Sequence, residues 1–300
     1  MKRIRVLGFG AALALVASGA VSTVAAAPAG SASWAPAATA TIHPGVQTYT
    51  NGGQCTANFI FTDATNTYIG QAAHCSSTGS NTDTDGCSTQ SLPLGTPVTI
   101  LGANHPGTLV YNSWIAMQQA GETNPDVCAY NDLALVRIDP ADVANVNPSI
   151  PHWGGPVGLN TSGTTAGESV YSYGNSILRL GVTLLSPKVG TSSGDIGNGW
   201  SHGVSTVTPG IPGDSGSAFL DSAGRALGDL STLSVGVPDG VANNVSDLSR
   251  ELSYLAAHGG SAAGARLVLG TEPFNGGQVP LDTNHPVDDP VGGLSNFLGL

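Results

Sequence analysis

From residue 42 onward the apolar residues fall into short runs, many of them alternating with polar positions and divided by Gly, Asn, Thr and Pro. A period of two in segments this short is the mark of half-buried strands, and it predicts strands at 56–62, 68–73, 97–101, 133–138, 168–173, 178–185 and 204–208. Almost nothing before residue 240 has the 3.6-residue period of an amphipathic helix. The one helix expected is 246–258, with Ser246 as N-cap and Asp247 in the first turn. Leu248, Leu252 and Leu255 mark one face of it, and Gly259-Gly260 stops it. Short strands at such spacing, with turns between them, predict an all-β sandwich or pair of barrels.

The two ends have a different texture. Lys2, Arg3 and Arg5 precede a nearly unbroken apolar or small stretch over 6–24, followed by Ala25-Ala26-Ala27. Residues 1–27 therefore read as a signal peptide, with an uncleaved membrane anchor as the alternative. Residues 28–41, rich in Ala, Pro and Ser, read as a pro-segment or linker. The folded domain is expected over 42–270, and the Pro/Gly/Asp-rich stretch 271–300 as a flexible tail.

Composition narrows the partners. The chain has 300 residues, 42 of them Gly, and only 10 % are charged. Three of the nine basic residues lie in the leader and none of the twenty acidic ones, so the exported remainder is strongly acidic. That balance argues against nucleic acid or an anionic membrane as partner. The four cysteines (Cys55, Cys75, Cys87, Cys128) give two disulfides in an exported chain, with three possible connectivities; short unnested loops favour Cys55–Cys75 and Cys87–Cys128. No zinc spacing is present. Asn81-Thr82-Asp83-Thr84-Asp85-Gly86 opens like a calcium loop, but Leu92 stands where the last acidic ligand belongs, so a solvated turn held by Cys87 is expected and no metal.

Three segments carry candidate chemistry: Gln71-Ala72-Ala73-His74-Cys75, Asn131-Asp132-Leu133-Ala134-Leu135-Val136 and Pro212-Gly213-Asp214-Ser215-Gly216-Ser217. A serine hydroxyl is a poor nucleophile until a base takes its proton, and it needs donors for the oxygen that becomes negative. The glycines around Ser215 leave its hydroxyl open and let the Gly213 and Ser215 amides point at one spot. His74 is the candidate base, steadied by the neighbouring Cys75. Asp132 opens an apolar run that draws it inward, where a carboxylate needs a partner such as an imidazole. Asp126, Asp139 and Asp142 are weaker competitors in Pro-flanked loops. The other histidines (His43, His105, His152, His202, His258, His285) read as surface positions. The order His, Asp, Ser separates the chain from subtilisin-type and α/β-hydrolase orders, and Ser217 breaks the Gly-x-Ser-x-Gly elbow.

With these three motifs the sequence resembles the trypsin/chymotrypsin-like serine proteases, in particular their secreted bacterial branch, from about residue 48 to 258. The resemblance implies two perpendicular six-stranded antiparallel β-barrels with a cleft between them, a C-terminal helix, and a disulfide beside the histidine like Cys55–Cys75. It implies His74, Asp132 and Ser215 as a catalytic triad, Gly213 and Ser215 as oxyanion donors, and no cofactor. It also places Pro209 near the floor of the primary pocket and Ser231-Thr232-Leu233 along one wall; with no Asp at the floor, small or medium apolar side chains are the expected preference. Asp214 needs an internal cation, because no Lys or Arg occurs between Arg5 and Arg137 to allow an activating cut; Arg179 is the expected partner, with Arg137 and Arg225 as competitors. The function expected is a secreted, monomeric serine endopeptidase acting on proteins or peptides. A non-catalytic binding homologue and an esterase on the same scaffold are the alternatives.

Overall fold

A computed structural model describes residues 33–80, 83–236 and 240–277, with the side chains of 233–242 left aside. The expected leader and residues 278–300 lie outside the described residues. In chain order the first half holds β1 (Gln47–Thr50), β2 (Gly53–Thr56), β3 (Ile60–Thr62), β4 (Thr67–Ala72), β5 (Pro97–Ile100), β6 (Gly107–Asn112), α1 (Ser113–Ala120), α2 (Pro125–Tyr130) and β7 (Leu133–Arg137). The second half holds β8 (Ser169–Tyr173), β9 (Pro187–Ile196), β10 (Ser201–Thr206), β11 (Ala218–Leu220), β12 (Ala226–Gly236), β13 (Gly240–Asp247), α3 (Leu248–His258) and β14 (Arg266–Leu267).

These strands make two bodies of sheet, all antiparallel. The first has eight strands in the order β14-β3-β4-β7-β6-β5-β1-β2; the second is a closed six-stranded barrel in the order β10-β13-β12-β11-β8-β9. The first therefore holds two strands more than the six expected; one of them, β14, returns from beyond the C-terminal helix to pair with β3. One apolar core joins the two: Ile60, Leu109, Leu133 and Leu135 from the first sheet pack in one cluster with Tyr173, Ala218, Leu220 and Ala226 from the barrel. A smaller cluster, with Val170, Val204, Phe219, Leu227, Leu230 and Val245, fills the barrel itself.

Several sequence expectations are corrected. The run 56–62 is broken into two strands. The stretch 178–185, despite its alternating pattern, is two short 3₁₀ turns (Ile177–Arg179 and Thr183–Leu185) that leave Leu178 and Leu180 exposed. Leu180 lies in the left-handed region at φ 52°, so the chain turns where an extended strand would have run on. Two helices, α1 and α2, were not expected. Each begins with an asparagine cap, Asn112 accepting from the Trp114 and Ile115 amides and Asn124 from the Asp126 amide. The cap of α3 is Asp247, which accepts from the Arg250 amide, while Ser246 belongs to β13. Within the expected pro-segment or linker, the Ala35 amide donates to the Val146 carbonyl at 2.9 Å and Trp34 packs on the core. The first part of the expected tail is likewise docked, with Thr271 bonded to Ser149 and Phe274 stacked edge-on against Tyr171.

Candidate active site

β4 ends at Ala72, and a 3₁₀ turn, Ala73–Ser76, carries His74 at its head. β7 is hydrogen-bonded to β4, with Leu133 opposite Ala72, so Asp132 enters the sheet beside the histidine turn. Strand register thus brings two motifs 58 residues apart into contact. The Asp132 carboxylate takes two bonds from His74, one from Nδ1 at 2.7 Å and one from the backbone amide at 2.9 Å. A third comes from the Ser231 hydroxyl at 2.6 Å. Asp132 is buried, and its own amide donates to Glu251 Oε1 at 2.9 Å.

This geometry sets the direction in which the imidazole's affinity for a proton moves. Burial presses His74 toward its neutral form, but the Asp132 carboxylate beside it and the bond between them outweigh that, with Asp229 adding to the effect; the net shift is upward. A base held by a buried carboxylate in one tautomer, with Nε2 turned away from that partner, is what proton shuttling requires.

The third motif reaches the same place from the barrel. The Thr56 amide donates to the Ser215 carbonyl at 2.9 Å, and Cys55, next to Thr56, is disulfide-bonded to Cys75, next to His74. The Gly216 amide donates to the Leu230 carbonyl at 2.7 Å, one residue before the Ser231 that holds Asp132. Gly216 sits at φ 82°, and a Cβ on it would fall 2.6 Å from the Ala72 amide nitrogen, so the backbone approach itself demands glycine. Gly213 is also in the left-handed region, at φ 96°, its carbonyl tied to Gln54 and Thr56.

Asp214 is fully buried, and Arg179 is its partner, as the sequence reading expected. It is not alone. Lys188, itself fully buried on β9, places Nζ 3.0 Å from the same carboxylate oxygen, and the Ser176 and Ile211 amides donate at 3.0 and 3.1 Å. Burial, with Arg179 close by, holds the Lys188 ammonium below its ordinary range despite Asp214. Sequence reasoning missed Lys188, although it is one of only two lysines in the chain and is flanked by Pro187 and Val189 inside a strand. Of the competing cations, Arg225 is taken by Asp221 and Arg137 projects outward from β7.

The pocket residues are placed unevenly. The Pro209 carbonyl accepts from Lys188 Nζ at 3.3 Å, so the same two cations back that position. Ser231, expected on the pocket wall, spends its hydroxyl on Asp132. Thr232 and Leu233 lie in β12 opposite Asn244 and Asn243. Both disulfides, Cys55–Cys75 and Cys87–Cys128, are formed. Asp83 and Asp85 accept from the Ser80 and Cys87 amides in the turn between them; Asn81 and Thr82 lie outside the described residues. Among the other histidines His202 is a correction: it is buried in the barrel, with Nδ1 2.8 Å from Asp195 and Nε2 3.1 Å from Asp247. Asp142 is buried too, but its carboxylate is used by Asn104 and His105.

A closed six-stranded antiparallel barrel joined to a second antiparallel sheet, with few helices, makes the fold chymotrypsin-like. Among solved structures the chain is similar to protease A of Thermobifida fusca (20 % identity over 76 % of this chain and 99 % of that one, TM-score 0.49). It is also similar to Nocardiopsis protease (21 %, 75 % and 98 %, TM-score 0.44) and to the chymotrypsin of Cellulomonas bogoriensis (17 %, 76 % and 98 %, TM-score 0.45). No family model and no curated protein sequence matches the chain. Among the described residues no helix is long and apolar enough to cross a membrane.

Proposed function

We propose that the protein is a secreted serine endopeptidase that cleaves peptide bonds through an acyl-enzyme. The observation that carries this reading is the clamp on Asp132: a buried carboxylate bonded to His74 Nδ1, to the His74 amide and to Ser231, with the Ser215 turn bonded to the same backbone. In the reaction Ser215 Oγ attacks the scissile carbonyl while His74 Nε2 takes its proton, and Asp132 stabilises the imidazolium that results. His74 then returns the proton to the leaving amine, and water hydrolyses the acyl-enzyme by the same route in reverse. The Gly213 and Ser215 amides, which bond to no acceptor among the described residues, are the donors for the oxyanion. Pro209, Thr232 and Leu233 bound the primary pocket, which accepts small or medium apolar side chains. Ester hydrolysis would use the same groups.

The test is labelling of the purified protein with a fluorophosphonate, wild type beside Ser215→Ala and His74→Ala. Wild type alone is expected to label. A folded wild type that stays unlabelled overturns the reading and favours a binding module.

A further inference from the structure

Behind Asp132, on the side away from His74, lie two more carboxyls that the proposed reaction does not use. Asp229 is on β12, two residues before Ser231 and just ahead of the register shift between Leu230 and Thr232. Glu251 is on α3, where its Oε1 accepts the Asp132 amide. Both residues are 0 % exposed, and the two carboxyls are near enough for Asp229 to push Glu251 upward. Neither Asp229 oxygen and not Glu251 Oε2 finds a donor on any other side chain among the described residues. Two ionised carboxylates, fully buried with no donor for these three oxygens, would repel each other; one proton between them turns the repulsion into a hydrogen bond.

We propose that Asp229 and Glu251 are positioning residues, a carboxyl pair holding one proton in common that fixes the Asp132 backbone from beneath. The charge balance of the site favours this. Three ionised carboxyls in one buried pocket would face a single imidazolium, whereas a shared proton leaves Asp132 and one further negative charge. Burial and the neighbouring carboxylates push both groups well above the usual carboxylate range. The other ionisable groups facing the pair are Asp132, His74 and Tyr111 of β6, with Tyr254 beside Tyr111; no cation other than His74 approaches it among the described residues. Glu251 thus orients the catalytic carboxylate through its main chain, and Asp229 keeps Glu251 in place.

The kinetic role rests on the endopeptidase reading; the shared proton does not, and the experiment separates them. Infrared difference spectra of the whole protein at neutral pH in heavy water are expected to show the carbonyl band of an un-ionised carboxylic acid in wild type, lost in Asp229→Asn and in Glu251→Gln. Absence of the band from folded wild type overturns the pair, whatever the activity. In turnover, Glu251→Ala is expected to lower kcat on the order of 10-fold with KM little changed, and Glu251→Gln, which keeps the acceptor for the Asp132 amide, to recover most of it. A folded Glu251→Ala with wild-type kcat across the pH range overturns the positioning role. If Glu251→Ala fails to fold, the kcat of Asp229→Leu decides in its place. A wild type with the band but no fluorophosphonate labelling would sink the endopeptidase reading and leave the pair standing.

Discussion

Gly216 shows how much of the site depends on a single missing carbon. Its φ of 82° and the 2.6 Å from a would-be Cβ to the Ala72 nitrogen leave no room for a side chain, and the obstacle is backbone at the end of β4, two residues before His74. Gly216→Ala is therefore expected to cost about 2 kcal/mol of stability and to slow fluorophosphonate labelling by separating Ser215 from His74. Urea denaturation and labelling rate measure the two effects independently. The residues legible in the sequence were those whose chemistry is carried by neighbours along the chain: Ala73-His74-Cys75, Asp132 before an apolar run, Ser215 among glycines. Asp229 and Glu251 were not legible, and Ser231 reads in the sequence as pocket wall and not as the partner of Asp132. Their roles arise from a shift of register in β12 between Leu230 and Thr232 and from the rotation of α3, neither of which leaves a mark in composition. Lys188 was legible in principle, as a lone lysine in a strand.

At the scale of elements, His202 ties β9, β10 and α3 together. Asp195 on β9 and Asp247, the cap of α3, bond to opposite nitrogens of one buried ring. Burial alone would lower the His202 pKa, but the two carboxylates reverse the sign and raise it above 6.5. The contribution to stability is then fully present below the unfolded value and is lost as pH rises through the higher folded value. The unfolding free energy of wild type, from urea denaturation, is expected to fall through the neutral to mildly alkaline range by on the order of 1 kcal/mol more than that of His202→Gln, a modest figure because Asp195 is 36 % exposed on its side chain and screened. A parallel pH dependence in the two proteins would show that His202 bears no such charge. The sequence placed this histidine on the surface because its context, Trp200-Ser201-His202-Gly203, lacks any apolar run; its burial comes from barrel closure. Helices α1 and α2 escaped notice for a related reason. Their caps, Asn112 and Asn124, were visible, but α1 buries Trp114, Ala116 and Met117 over too broad a face to read as a stripe.

At the scale of the molecule, the fold class was legible because it needs only many short strands and few helices. The count of strands was not, since β14 pairs with β3 from two hundred residues away. The shared core gives the two sheets little independence: Leu135 and Leu220 belong to one apolar cluster, and the Asp132–Ser231 bond crosses from one sheet to the other. Unfolding in urea is expected to be a single transition, with tryptophan fluorescence and far-ultraviolet ellipticity coincident. Two separated transitions would mean that the barrel survives alone.

The neutralisation of Asp214 from within has a consequence for timing. Arg179 and Lys188 are already in the chain when it leaves the ribosome, and no new terminus has to be cut free to reach that carboxylate. That neutralisation arrives with folding itself. In the endopeptidase proposed above, control acting through this carboxylate would be exercised by delaying the fold, because its cations need no nick to reach it.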